Sequence, residues 1–177
     1  MNTRSLVTAV VQRLRAAFPG WTVERFPDDP EVYPFKDRGR AILVSYVRST
    51  YGEIESFNPW STTRTIELAV TVLSRSLVAN DGAIETVDNV RRALFGWEPE
   101  LTVTTPASDP GDPPVVTKVS LGCTPLTISS EGDVTHKGDA IWWFALGAST
   151  TATEVAQEIL EPVISPGIDD VELDLEA

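Results

Sequence analysis

The sequence predicts one α+β domain: a mainly antiparallel sheet of four to five strands with two helices packed on one face, then a short C-terminal helix and an extended tail. Three observations lead there. Two segments repeat apolar residues at three- and four-residue spacing, the period of a helix with one buried face. Several others alternate apolar and polar residues, the period of a half-buried strand. The 177 residues are the length of a single domain, with 42% hydrophobic residues to build its core.

The first helix is expected over residues 4–18, where Leu6, Val7, Val10, Val11, Leu14 and Phe18 share one face. Thr3 is the expected N-cap, and Pro19-Gly20 ends the helix. A short strand over 21–26 and a loop through Asp28, Asp29, Pro30 and Pro34 follow, then a strand over 40–47. Residues 49–61 hold turn formers and aromatics and read as a loop. Residues 63–73 alternate most clearly, with Ile66, Leu68, Val70 and Val72 on one side. Asn80-Asp81-Gly82 introduces the second helix, built on Ala83, Val87, Val90 and Leu94 and closed by Gly96 and Pro99. Four prolines within 104–114 exclude regular structure there. Alternation resumes over 115–123, breaks at Pro125, and returns at Leu126 and Ile128 with shifted parity, the mark of a bulge. Residues 140–146 form the last core strand. Thr151 and Glu154 have capping-box spacing for a short helix over 151–161, and Pro166-Gly167 opens the tail. The domain thus spans 1–150, and 151–177 is a helical and acidic extension.

Charge divides the chain. Residues 1–96 are close to neutral, while Lys118 and Lys137 are the only bases after them, and the whole chain carries −12. Grip on nucleic acid needs cations facing phosphates, so a nucleic-acid reader is not expected; an acidic surface suits DNA that must slide past without sticking. No run of about 18 apolar residues exists for a membrane helix. Residues 1–20 lack the apolar core of a signal peptide, and a cytoplasmic site of synthesis is expected.

Chemistry-bearing motifs are sparse. No GxxxxGK[ST], GxGxxG or GxSxG sequence occurs. His136 is the single histidine and Cys123 the single cysteine, which leaves no HExxH motif, disulfide or zinc cluster. Cys123 is expected to be a small core residue. The Asp28-Asp29 and Asp169-Asp170 pairs lack further ligands at calcium-loop spacing. The expectation is therefore a protein with no catalytic residue, no cofactor and no metal.

Two features are unusual. Residues 141–146 read Ile-Trp-Trp-Phe-Ala-Leu, apolar on both faces, and residues 40–47 share the excess. With both helices on one face, the side opposite needs cover; a second subunit is the simplest cover, and the C-terminal helix or the 49–61 segment folding over that face is the alternative. The tail is the other feature: Val171, Leu173 and Leu175 alternate with Glu172, Asp174 and Glu176, and two readings stand side by side, a disordered acidic terminus and a strand added to a neighbour's sheet edge.

The order helix, three strands, helix and strand pair with an aromatic last strand resembles the tail terminator (tail completion) proteins of Mu-like contractile-tailed phages. So does the unit Thr63-Arg64-Thr65-Ile66-Glu67-Leu68-Ala69-Val70-Thr71-Val72 leading into Gly82-Ala83-Ile84-Glu85 and Val90-Arg91-Arg92-Ala93-Leu94-Phe95-Gly96-Trp97. The resemblance covers residues 3–147 and leaves out 104–114 and 150–177. It implies a virion protein assembled in the host cytoplasm. Such a protein forms a hexameric ring on the tail tube, ends tube and sheath polymerisation, and meets the head–tail connector, with DNA passing through the lumen unbound. The alternatives are a connector or neck component, a small non-viral binding module, and an enzyme using carboxylates. Ring closure by rotation requires two different complementary patches. The candidates are Arg64, Arg75, Arg91 and Arg92 on one side, with Asp169, Asp170, Glu172 and Asp174 opposing them. Trp142 and Phe144, and the tail residues Val171, Leu173 and Leu175, are the candidate apolar contacts.

Overall fold

The computed structural model describes residues 2–27, 39–57, 60–77, 82–106, 114–132, 135–137 and 141–155. The expected C-terminal tail, most of the 104–114 loop and the Asp28-Asp29 pair lie outside them.

Helix α1 spans Thr3–Ala17 and buries Leu6, Val7, Ala9, Val10, Val11 and Leu14. Its cap is Asn2 rather than Thr3: the Asn2 carboxamide oxygen accepts from the Arg4 amide at 2.9 Å. The Thr3 hydroxyl is engaged elsewhere, by Arg64. Helix α2 spans Ala83–Leu94, and Gly96 takes a φ of 73°, the left-handed turn that ends a helix and favours glycine.

The main sheet runs in the order β1 (Thr22–Arg25), β2 (Arg40–Phe57), β3 (Trp60–Ser74), β8 (Ile141–Val155) and β6 (Thr127–Glu131), with short β7 (Thr135–Lys137) also on β8. Among the described residues only the pairing of β1 on β2 is parallel in this sheet. Strands β6 and β7 share one edge of β8, pairing with Leu146–Ser149 and Ile141–Trp143 respectively. Gly147 lets β6 approach, since a β-carbon there would strike the Ser129 and Ser130 hydroxyls. A second sheet pairs β4 (Glu100–Thr105) with β5 (Val115–Ser120).

Both helices cover the same face, as expected. Their apolar stripes meet Ile66, Leu68, Val70 and Val72 of β3 and Leu146, Ala148 and Ala152 of β8 in one core. Cys123 is buried in it and makes an isolated bridge to Ala152. Burial pushes its thiol pKa up, which disfavours the reactive thiolate.

Three expectations are corrected. Residues 49–61 are not a loop: β2 continues to Phe57 and β3 begins at Trp60, with Phe57 opposite Trp60. The described start of the expected C-terminal helix, residues 151–155, continues β8 opposite Ser61–Thr65. Thr150, Thr151, Thr153 and Val155 are β-branched, and a partner strand outweighs a capping-box spacing. Finally, Thr104 and Thr105 belong to β4, which was not expected at all.

Candidate interaction surfaces

At the root of the sheet the face opposite the helices is closed by the chain itself. Ala41, Leu43, Leu73 and Ile141 are at most 5% exposed there, with Phe26 and Trp143 packed against them. This corrects the expectation that a second copy covers the far side of the aromatic strand. Phe144 points the other way, into the helix-side core, opposite Val72. Trp142 shares its parity and is half-buried.

Uncovered apolar surface lies instead at the far end of the same strands. Past Tyr46 the hairpin of β2 and β3 becomes a wing, about ten residues or 30 Å in β2. Tyr46, Val47, Tyr51, Ile54 and Trp60 are exposed on it, as is Val155 on the end of β8. Tyr51, Ile54, Trp60 and Val155 surround an open recess of about 360 Å³ with Arg64 and Glu154 at its floor. The ladder of the wing is irregular, with register shifts after Tyr46 and after Tyr51. Bulges at an edge limit how far another strand can pair along it.

Arg64 anchors the wing to the body. It donates to Glu154 of β8 at 2.9 Å, to Ser49 of β2 at 3.0 Å and to the Thr3 hydroxyl at the start of α1 at 2.6 Å. Its guanidinium also lies 5.7 Å from the Tyr51 ring centroid, in cation–π range. The Arg64 side chain is only 13% exposed. The bond from Arg64 holds the Glu154 carboxyl below the usual carboxylate range. On the other face Arg48 pairs with Glu67 through two bonds, at 2.8 and 3.0 Å, in a more exposed setting.

A second exposed element is the β4–β5 ribbon. Every residue of β5 is exposed, and Val103, Val115, Val116 and Val119 present apolar surface. An isolated two-stranded ribbon is marginal in water, so it needs support. Gln12 of α1 supplies some: its amide accepts from the Thr102 backbone N–H at 2.9 Å and donates to the Thr102 carbonyl at 3.1 Å, as a neighbouring strand would. The Lys118 ammonium pairs with Glu100 across the ribbon. Between ribbon and α2, a recess of about 450 Å³ is lined by Arg13, Arg92, Phe95 and Trp97 among others. The Arg13 guanidinium lies 5.6 Å from the Trp97 ring centroid.

The four candidate arginines do not form one patch. Arg64 is half-buried at the base of the wing, and Arg75 follows the opposite end of β3 at the root. Arg91 pairs with Asp88 at 3.0 Å and with Glu131 of β6, and its buried Nε has no partner among the described residues. Arg92 is exposed beside Phe95 and donates to Asn89 at 2.9 Å. Asp169, Asp170, Val171, Glu172, Leu173, Asp174 and Leu175 lie outside the described residues. The outer part of the wing and strand β4 were missed, although the β-branched and aromatic content of 50–57, 60–62 and 101–105 signals strands, whereas β5 falls within the strand expected over 115–123. Among the described residues, no group of three His, Cys, Asp or Glu is placed to hold a metal ion, and no helix is long and apolar enough to cross a membrane.

Fold and surface together define a small α+β domain whose strands end in exposed apolar elements. The chain belongs to the Gp37 protein family, whose model matches residues 10–106, from the middle of α1 past the end of β4. This is a family of phage proteins, so the chain is phage-derived. No curated protein matches it.

Proposed function

We propose that this chain is a structural virion protein that forms a ring, hexameric in the reading the resemblance implies, at the head-proximal end of a phage tail. It has no catalytic role. It stops tube and sheath growth and offers the surface on which the head–tail connector is joined. The observation that carries this reading is the wing. Tyr51, Ile54, Trp60 and Val155 bring apolar and aromatic area together at the surface around one recess. Contiguous exposed patches of this kind mark protein–protein contacts. Membership of a phage family supports the setting. The charge of −12 supports passage of DNA through the lumen without adhesion.

The deciding experiment is the native mass of the purified protein, alone and with phage tail tubes. A closed ring, or one ring per tube end with elongation arrested, is the expected result. A protein that stays monomeric and leaves tube growth unchanged refutes the proposal. Capture by connector rings but not by tubes assigns it to the neck instead.

A further inference from the structure

We infer that the recess on the wing is the seat of the chain's own C-terminal segment Ile159-Leu160-Glu161-Pro162-Val163-Ile164 in the free subunit. The consequence for assembly rests on the ring reading: the segment keeps this part of the wing closed until a tail end or a neighbouring subunit takes its place.

The recess lies where helical cover stops. Ile66 and Leu68 of β3 are buried under the helices, and Arg64, two positions nearer the wing tip, meets Thr3, the first residue of α1. Thr62 and Trp60 share the parity of Arg64, and β3 pairs with β8 without a register shift as far as Ser61, so they continue the same face. Among the described residues no helix continues past Thr3 to cover them. The sheet therefore carries its helix-side face beyond the end of the helix, and Tyr51, Ile54, Trp60 and Val155 wall the gap.

The chain leaves the described residues at that wall. Strand β8 ends at Val155, opposite Ser61. Ala156, Gln157 and Glu158 are all that separate it from Ile159, and connections this short commonly reverse a chain. At about 3.5 Å per residue, the path from Val155 to Ile164 is long enough to cross the wing. A segment on so short a tether is present at an effective concentration on the order of millimolar. It fills the recess ahead of any molecule in dilute solution.

Chemistry selects this segment over the rest of the chain. Arg64 and Glu154 on the floor pair with each other at 2.9 Å, so the recess suits an apolar occupant. Residues 159–164 offer Ile159, Leu160, Val163 and Ile164 with a single acid, whereas residues 168–177 carry five acids. Residues 107–113 read Ala-Ser-Asp-Pro-Gly-Asp-Pro and hold no large apolar side chain. Residues 28–38 and 78–81 are tethered at the root, the former between Pro27, beyond the Phe26 bond to Val44, and Gly39 at the start of β2. An apolar wall left in water is also a liability for a free subunit, and a reversible intrachain cover removes it.

The test pairs a cysteine in the recess, Ile54→Cys or Tyr51→Cys, with one in the segment, Leu160→Cys or Ile164→Cys, in the full chain at low micromolar concentration. The control replaces the recess cysteine with Glu55→Cys, beside Ile54 but on the opposite face, where the Glu55 carboxylate accepts from the Thr63 hydroxyl. Cys123 is buried and stays out of the exchange. Under mild oxidation at least one recess pair should close within a single chain about tenfold faster than the control with the same tail cysteine. Rates equal to the control in all four pairs, or products that join two chains, overturn the seat. The trapped chain should then fail to act on tail tubes and recover when a thiol reductant is added; a trapped chain that assembles as well as the reduced one overturns the role in assembly. Where neither form assembles on tubes, the ring reading falls and that role with it, while trapping on the free subunit still decides the seat.

Discussion

Strands β2, β3 and β8 behave as two different materials along their length. At the root, Ile42, Leu43, Val44, Val70 and Val72 are fully or almost fully buried between the helices on one face and a smaller cluster on the other. At the wing the same strands expose Tyr51, Ile54, Trp60 and Val155, and polar bonds around Arg64 replace apolar packing. The wing holds fewer apolar residues than the root, and their thermodynamic use differs. Apolar area at the root is removed from water when the chain folds. Apolar area at the wing stays in contact with water when this core has formed and can be removed only by a segment or molecule from outside it. Stability and assembly should therefore separate along the length of the sheet.

The sharpest break in that separation comes from the root. Leu68→Ala, in the centre of β3 and 1% exposed, should cost about 2–5 kcal/mol in a urea titration through lost burial and the cavity left behind. Arg64→Ala stands at the boundary. It removes the 2.9 Å bond to Glu154 and should cost about 1–3 kcal/mol. Hydrogen exchange should rise at the start of α1 and the end of β8, with little change at the root. Gln12→Ala should cost about 1–2 kcal/mol, with faster exchange confined to β4 and β5, because the Thr102 backbone loses both of its side-chain partners.

Acid should sharpen the comparison further. Glu154 titrates below its unfolded value, so the stability it contributes is complete above about pH 4.3. It is lost as pH falls through the depressed folded value. Arg64→Ala, which removes the largest cause of that lowering, should weaken that part of the acid sensitivity and leave the rest of the profile in place, as read from melts at stepped pH. Smallest in its effect on stability is Ile54→Thr on the wing, expected within about 0.5 kcal/mol of the unaltered chain. If Ile54→Thr destabilised as Leu68→Ala does, the wing would be part of the folding core and the division drawn here would fail.

Both helices were legible because their apolar residues recur at helical spacing, and Gly96 marked the end of α2 for a stereochemical reason that sequence exposes directly. The alternation of Ile66, Leu68, Val70 and Val72 gave the central strand and its buried side. The wing was illegible for a definite reason. Gly52 and the Asn58-Pro59 pair are local turn signals, whereas the ladder from Tyr51–Arg64 to Phe57–Trp60 depends on strands registered by residues far back at the root. The same holds at residues 151–155, where a local capping pattern lost to pairing with Ser61–Thr65. Strand β4 was hidden by the prolines that follow it, and its anchor, Gln12, lies 90 residues away.

The candidate site divides in the same way. That this chain exposes apolar strand surface could be argued from an excess of aromatic and β-branched residues, but the location assigned from Trp142, Trp143 and Phe144 was the root, where the chain closes over itself. Arg64 was named as a surface cation, and folding turned it into a half-buried tie among α1, β2 and β8. Sequence by itself determined the class of fold, the two helices and the buried face of the central strand, because those follow from periodicity within one segment. Tertiary structure alone decided which apolar residues remain in water, because burial depends on what distant segments bring to the same place.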